Sequence, residues 1–571
     1  MQTRDGVRLD ADVYFPPGED LTGEDLTGED PTGKGSWPVL LMRQPYGRAI
    51  ASTVVYAHPS WYAACGYIVV VQDVRGRGSS EGRFELFARE REDGEDSVSW
   101  AASLPGSSGQ VGMYGFSYQG MTQLYAAESQ PPALRAIAPA MTGYHLYSDW
   151  AYENDALCLQ LGLTWAIQLA AETARLEGDQ ATYQNLLAAA RRLPVDEPAP
   201  AMPSVLSEVE SFFHQWVKQP ASASYWQDLI PDLSRVSLPT FQVGGWFDPY
   251  LRGDLRLYRE MAGRARSHQL WIGPWCHIPW SRQVGAVDFG AAAVSPIDRL
   301  QIQWFDWILK GKQPQLLPDS PQPSLLKDRS VNLFEMGRNQ WRRWDRWPLG
   351  QKNEGKSNAF NQVYFLHSTG LANVREDDGR LLRARPSAAR LDTLVHDPWN
   401  PVPSLGGHSS IPAGSFERGA VDRRGDVLTY TTAPLAEELR VVGTAEFWVV
   451  VSTESASYDL CVVLSRVDRQ GVYNLTQGYR RVDADGITRR VTLKLHPTCF
   501  SLAVGDRLRM SLSAACFPAY PINPGTGDRS HQAHRAEAQI ISLAISLGGQ
   551  EPARLHLPTI SAKMDLDEGK S

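Results

Sequence analysis

The chain has 571 residues, a net charge of -8 and a sequence pI of about 5.9, with 43% hydrophobic and 21% charged residues. This balance excludes a mostly disordered chain and a basic nucleic-acid footprint, and the length allows roughly three to five domains. Tryptophan is plentiful, 18 residues beside 21 Tyr and 17 Phe, which points to aromatic-rich β-structure and to an aromatic-lined pocket.

The opening MQTRDGVRLDADVYFPP has neither the apolar core nor the small-residue cleavage site of a secretion signal, and no run of about 18 apolar residues follows it. The six cysteines (Cys65, Cys158, Cys276, Cys461, Cys499 and Cys516) are scattered, with no C-x-x-C pair. We therefore expect a cytoplasmic protein with reduced thiols, no metal site, and neither membrane nor nucleic acid as partner.

From Val7 to about Met141, short apolar runs alternate with helix-like stretches. Val39–Met42 and Tyr67–Val71 read as fully buried strands, and a helical pattern covers Gly94–Ser103. Strands alternating with helices predict βαβ units on a parallel sheet. Between two early strands, LTGED, LTGED and PTGKG run in tandem from Leu21 to Gly35, and they read as an expanded surface loop. Asp73–Gly82 (DVRGRGSSEG) carries Arg75 and Arg77 among glycines; a turn held by charge-assisted hydrogen bonds is favoured over an anion-binding loop.

Val111–Gly120 (VGMYGFSYQG) is a short apolar strand that ends at Gly115, followed by Ser117 at a sharp turn and a helix starting near Tyr118. A nucleophilic serine must stand clear of the sheet, small neighbours allow the strained elbow, and the helix N-terminus offers N–H groups to an oxyanion. Gln119 stands where the common G-x-S-x-G pattern has its last glycine; Gly120 comes next.

From about Gly143 to Leu238 the pattern turns helical without a strand. Helices are expected over Asp155–Arg175, Asp179–Arg192 and Val205–Val217, with Leu193–Pro203 as a Pro-rich break. Asp149, Glu153 and Asp155 read as carboxylates that solvate the start of a helix and favour its dipole. Strand texture returns at Thr240–Gly244, where TFQVGGWFDPY delivers Asp248, and at Gln269–Ile272, where QLWIGPWCHIPW delivers His277. Serine, acid and histidine in that order, each after its own strand, are the parts of a nucleophile, a base and the base's orienting carboxylate. Cys276, beside His277, has no separate base and reads as a bystander. Ile297–Gly311 is an amphipathic helix with a Gly stop. Beyond about Arg346, Glu438–Ser452, Arg490–His496 and Asp506–Ser513 alternate with period two, as in an antiparallel β-sandwich of jelly-roll type.

GFSYQG, GGWFDPY and GPWCH, in that order, resemble the CocE/NonD serine hydrolases, relatives of the X-Pro dipeptidyl-peptidases and α-amino acid ester hydrolases. RQPYG (Arg43–Gly47), WFDWILKG (Trp304–Gly311), VNLFEMGRNQW (Val331–Trp341), GDVL (Gly425–Leu428) and Phe517-Pro518 extend the likeness along nearly the whole chain. The resemblance implies an α/β fold: an α/β-hydrolase core in two parts (residues 1–142 and 239–345), an inserted helical cap (143–238), and a C-terminal jelly-roll, galactose-binding-like β-sandwich (346–571). It implies a triad of Ser117, Asp248 and His277. The oxyanion hole would be made by the Tyr46 hydroxyl and the Tyr118 backbone N–H. No metal or cofactor is needed. A homodimer is compatible with the family and has no signature in the sequence.

The expected substrate is a small ester or amide. Trp150 and Trp165 of the cap, with Phe247 and Trp275 beside the catalytic loops, are candidate pocket walls for an aryl or bulky apolar acyl group. The residues after Asp248 are uncharged, which argues against an anchor for a substrate ammonium. An X-Pro dipeptidyl-peptidase or an α-amino acid ester hydrolase is the alternative, acyl transfer to an alcohol or amine shares the same acyl-enzyme, and a non-catalytic carbohydrate-binding protein is the rival of another class.

Overall fold

The computed structural model describes residues 1–17, 36–51, 53–264, 267–312, 329–344, 346–347, 360–484, 487–529 and 531–560. The tandem repeat at Leu21–Gly35 lies outside them. Nine strands make the first sheet: β1 (Ala11–Tyr14), β2 (Trp37–Gln44), β3 (Ile68–Asp73), β4 (Ser107–Phe116), β5 (Leu134–Ala140), β6 (Thr240–Phe247), β7 (His268–Cys276), β8 (Arg329–Glu335) and β9 (Gln340–Trp344). Their spatial order is β1-β3-β2-β4-β5-β6-β7-β8-β9, with only β1 and β9 antiparallel to their neighbours.

The unbroken apolar runs of β2 and β3 are explained by burial on both faces. Val39, Leu41, Ile68 and Val70 pack under α1 (Glu90–Ala102), α2 (Tyr118–Glu128) and the later helix over Leu251–Met261. The alternate residues Leu40, Met42, Val69 and Val71 pack on the helix Ile297–Lys310 through Leu300, Trp304 and Phe305. From β2 the chain crosses to β3 on one side and later returns to β4 on the other. The crevice outside the C-terminal ends of β2 and β4 is therefore the switch point at which α/β sheets bind ligands.

The cap departs from an all-helical reading. Tyr152–Glu153 pairs with Ala156–Leu157 in a short hairpin. Its turn is Asn154-Asp155, both with positive φ (44° and 68°), a conformation these short polar side chains tolerate better than most. The helix expected from Asp155 consequently begins later, as α3 (Leu159–Glu177), followed by α4 (Gln180–Arg191) capped by Asp179. The third expected helix splits into a single turn at Ser204–Leu206 and α5 (Phe212–Lys218). Ser211 starts α5 as its N-cap, its hydroxyl accepting from the Phe213 N–H. We number the two core helices that follow α6 (Leu251–Met261) and α7 (Ile297–Lys310). Among the described residues no helix is long and apolar enough to cross a membrane.

The C-terminal part is β-rich. Its strands gather into one thirteen-stranded arrangement, led by the long hairpin of Ser457–Asp468 with Gly471–Asp483. Glu438–Ser452, read as one strand, is two, divided at Gly443, whose φ of 123° breaks the extended path.

Asp149 and Glu153 do not solvate a helix start; both are buried. The Asp149 carboxylate accepts from the Tyr144 and His145 N–H groups and pairs with Arg256. Glu153 lies on the cap hairpin, yet its Oε2 takes bonds from Arg252 of α6 (2.8 Å) and from His408 (2.7 Å) and Tyr520 (2.8 Å) of the C-terminal part. The Tyr479 N–H reaches Oε1. Burial alone would raise the Glu153 pKa; Arg252 and His408 outweigh it and hold the carboxyl well below its usual range.

Replacing Glu153 with Gln leaves Arg252 without its countercharge, and we expect a loss of about 3–5 kcal/mol in urea unfolding at pH 7. Because the native pKa is depressed, the wild-type advantage is complete above the ordinary carboxyl value of 4.5 and shrinks as pH falls below it. Equal midpoints for the two proteins at pH 7 would contradict this account.

Candidate active site

β4 ends at Phe116, and Ser117 turns the chain into α2 with φ 61° and ψ -126°. Such a backbone costs roughly 1–3 kcal/mol for a residue with a side chain, and the surroundings must hold it. The Ser117 N–H donates to the Ala140 carbonyl on β5 (2.9 Å), and the Ser117 carbonyl accepts from Gly120 and Met121. Two glycines make the elbow fit. A Cβ on Gly115 (φ 140°) would meet Gln119 at 2.5 Å, and one on Gly120 would meet the Thr142 Cβ at 2.7 Å. Close packing thus falls on Gly120. Gln119, one position earlier, folds its side-chain carbonyl back to the Phe116 N–H at 3.1 Å. This gives the departure from G-x-S-x-G a local structural use.

Tyr46 follows β2, the strand beside β4. Its backbone N–H donates to Gln44 Oε1 (2.9 Å), and Gln44 donates in turn to the buried carboxylate of Asp73 (2.9 Å). The Tyr46 hydroxyl accepts from Trp165 Nε1 of the cap at 3.1 Å and hydrogen-bonds with Ser117. Burial pushes its pKa up to about 12, so the phenol keeps its proton. The Tyr118 N–H is at the first position of α2, where N–H groups have no partner within the helix. The Tyr118 side chain points elsewhere, its hydroxyl donating to Glu90 at 2.8 Å, and Glu90 pairs with the buried Arg43.

Asp248 follows β6 and is fully buried; His277 follows β7 and keeps part of its ring exposed. Nδ1 of His277 meets Asp248 Oδ1 at 2.7 Å, and the other carboxylate oxygen accepts from the Tyr250 N–H. The imidazole lies against Phe116 (5.4 Å between centroids) and edge-on to Tyr250 (5.0 Å). Among the described residues no hydrogen bond joins Ser117 to His277; Phe116, adjacent to the serine, is the link between them. Such bonds commonly close only when substrate is bound.

The cap contributes a continuous run of rings. Tyr250 lies on Trp150 (4.2 Å), Trp150 on Trp165 (5.3 Å), and Trp165 on Phe212 (4.8 Å). Trp150 and Trp165 are therefore brought to the site, while Phe247 and Trp275 are not. Phe247 is buried in the core cluster that also holds Trp246, Leu251 and Phe334. Trp275 folds back over Gly273 and donates its indole N–H to the Ala293 carbonyl at 2.8 Å. Tyr250 is the contact that sequence reasoning missed; its signal was an aromatic residue two positions after the acid in FDPY.

Other titratable groups nearby are accounted for. Burial, and then Asp248, push the Cys276 thiol up to about 12, which keeps it protonated. Asp254 on α6 is buried and its carboxyl is pushed well above the usual range, first by burial and then by Asp248. Asp149 and Glu153 are fully engaged, and Asp155 sits exposed on the hairpin turn.

Comparison with known proteins agrees with this layout. Residues 5–279 match the family described as X-Pro dipeptidyl-peptidase (S15 family), and residues 327–556 match the X-Pro dipeptidyl-peptidase C-terminal non-catalytic domain. Cocaine esterase of Rhodococcus sp. (strain MB1 Bresler) is 29% identical, the match covering 98% of this chain and 97% of that protein. The solved structure of an aminopeptidase from a marine-sediment Thaumarchaeota archaeon is similar with a TM-score of 0.76 at 23% identity, over 98% of this chain and 95% of that one. A solved α-amino acid ester hydrolase is similar with a TM-score of 0.74 at 21% identity and the same coverage. The two solved structures share the fold: an α/β-hydrolase core, an inserted helical cap and a β-rich C-terminal domain.

Adding a methyl group at Gly120 presses on Thr142 beneath the elbow. We expect Gly120→Ala to cost about 1–3 kcal/mol in denaturant unfolding. We also expect it to slow labelling of Ser117 by a fluorophosphonate. A variant as stable and as reactive as the parent would show that the elbow does not depend on this close approach.

Proposed function

We propose that this chain, which matches both domains of the S15 dipeptidyl-peptidases and is similar along its length to a cocaine esterase, is a serine hydrolase of the CocE/NonD type that hydrolyses small esters with a bulky or aryl apolar acyl group through Ser117, His277 and Asp248. The observation that carries this reading is the 2.7 Å bond from His277 to the buried Asp248, beside a serine on a strained elbow.

In this mechanism Asp248 fixes the imidazole with Nδ1 protonated, leaving Nε2 to take the Ser117 proton. The serine oxygen attacks the acyl carbonyl. The tetrahedral oxyanion is met by the Tyr118 N–H and the Tyr46 hydroxyl. Tyr46 is suited to donate there, because it accepts from Trp165, so its own proton is directed away from the cap, and its raised pKa keeps that proton on the phenol. His277 returns the proton to the leaving alkoxide. Water then attacks the acyl-enzyme with His277 as base, and Ser117 is regenerated.

Trp150 and Trp165, in contact with each other and tied to the site through Tyr250 and Tyr46, support a flat or bulky apolar acyl group, since they bring rings and no charge. The match to the S15 family favours cleavage of Xaa-Pro amides as the second reading. Against it, the cap carboxylates Asp149 and Glu153 are consumed by arginines and backbone N–H groups and are not free to hold a substrate ammonium.

Ser117→Ala should abolish both p-nitrophenyl ester hydrolysis and fluorophosphonate labelling, and full hydrolysis by that variant would end the proposal. Tyr46→Phe should lower kcat by roughly 10²–10³ with little change in KM. In a panel of aryl esters, short acyl esters, amino-acid esters and Xaa-Pro amides, aryl esters should show the highest kcat/KM. Preference for Xaa-Pro amides would install the second reading.

A further inference from the structure

The loop after β3 and the cap helices α3 and α5 enclose a cavity of about 850 Å³. Its walls are mixed, and the apolar part includes Leu86, Ala166, Leu169, Ala170 and Phe212. Arg77 lines it as well and is only 2% exposed. The other buried arginines, Arg43, Arg418, Arg440 and Arg509, each meet a carboxylate. Arg77 alone among them, within the described residues, does not.

What Arg77 has instead is neutral. Nη1 donates to the Leu169 carbonyl (3.2 Å) and to Thr173 Oγ1 (3.0 Å), the guanidinium lies 3.8 Å over the Phe84 ring, and Nε has no partner. Burial pulls its pKa down to about 10, so it remains a cation at neutral pH. A buried charge with neutral contacts and an unused donor is costly unless something brings an opposite charge to it. Glu172, the carboxylate nearest in sequence on α3, is engaged by Arg175.

We propose that this cavity is a second binding site, separate from the acyl site, for an organic monocarboxylate with an apolar body, its carboxylate seated on Arg77. The planar guanidinium suits a carboxylate, and the walls suit a hydrocarbon or aryl body. Glu85, Glu177, Glu210 and Asp228 also line the cavity, but all four are exposed and solvated, and Glu210 pairs with Arg83. They leave the attraction at Arg77 in place for one carboxylate and disfavour a ligand with several. His214, half-buried, has a pKa lowered chiefly by burial and is neutral at pH 7. Two residues are shared with the catalytic surroundings: Phe84 meets Tyr118 and Phe212 meets Trp165. The site is therefore next to the catalytic one, but its recognition chemistry does not depend on acyl transfer.

Calorimetric titration with 3-phenylpropionate and with 3-phenylpropionamide tests this directly. The acid should bind at least tenfold more tightly than the amide. Arg77→Met should abolish that preference, and Ala170→Trp, which puts a bulky ring on the cavity wall and leaves Arg77 in the chain, should abolish acid binding while the protein still unfolds cooperatively. Equal affinity for acid and amide, or acid binding untouched by Ala170→Trp, would overturn the proposal. The acid-to-amide ratio of the unaltered protein decides the matter if Arg77→Met does not fold.

Discussion

One carboxylate ties the three parts of the molecule together. Glu153 projects from the cap hairpin into a space walled by α6 of the core and by the C-terminal strands, and every one of its close partners comes from outside the cap. Its desolvation is offset only because Arg252, His408, Tyr520 and the Tyr479 N–H converge on it together, so no two of the three parts can complete the arrangement alone. The consequence for chemistry is positional. Arg252 stands one turn beyond Asp248, the proposed catalytic acid, on the same loop-to-helix segment. His496, stacked at 3.8 Å on His408, lies against the Asp248 backbone. Burial and the neighbouring His408 keep His496 well below its ordinary pKa, so His496 adds no charge to the cluster. The C-terminal domain therefore braces the acid of the site as well as closing the fold.

A second constraint operates at the other end of the site. The Ser117 elbow is a high-energy backbone held by neighbours with little freedom to yield: Gly115 against Gln119, Gly120 against Thr142, and the serine N–H on β5. The same economy recurs at Tyr46, whose backbone is fixed through Gln44 to Asp73 while its hydroxyl is fixed by Trp165. Core and cap each supply one restraint on that phenol. Its position thus depends on the cap being seated, which the Glu153 cluster secures some distance away. Preorganisation here is distributed: the groups that react are few, and the groups that hold them span the whole chain.

Much of this was legible in the sequence, for physical reasons that can be named. The buried strands were visible because a strand covered on both faces must be apolar without alternation, as at Ile68–Val71. Ser117, Asp248 and His277 were visible because each follows such a run at a Gly-rich turn. Tyr46 was not visible that way; only the likeness of RQPYG to a family suggested it, since a tyrosine after a proline has no intrinsic signature. Partner choice was less legible still. Asp149 and Glu153 are acidic residues near a helix start, and composition alone assigns them to solvent; their burial depends on Arg252, Arg256 and His408, distant in sequence. Trp275 and Phe247 sit beside the proposed catalytic residues in the chain, but core burial takes up Phe247 and the space over Gly273 takes up Trp275. The Asn154-Asp155 turn was present as a dipeptide suited to positive φ and was outweighed by the leucine-rich helix that follows it.

Where the unmatched charge lies bears on what the protein accepts. A substrate ammonium needs a carboxylate with capacity to spare, and the cap's buried carboxylates have none: Asp149 is occupied by two N–H groups and Arg256, and Glu153 by four donors. Asp254, the remaining buried carboxyl nearby, has its pKa pushed well above the usual range by burial and then by Asp248, which disfavours its charged form. An ammonium entering the space above Ser117 would exchange its hydration for aromatic rings whose attraction at best partly replaces it. An apolar acyl group faces no such exchange. The buried arginine without a carboxylate partner, Arg77, has the opposite sign and lines the neighbouring cavity together with Phe84 and Phe212. The distribution of satisfied and unsatisfied charge therefore supports the proposed neutral acyl group at the serine and the proposed carboxylate in the neighbouring cavity, a division that rests on ion pairing across the fold and not on any single residue at the site.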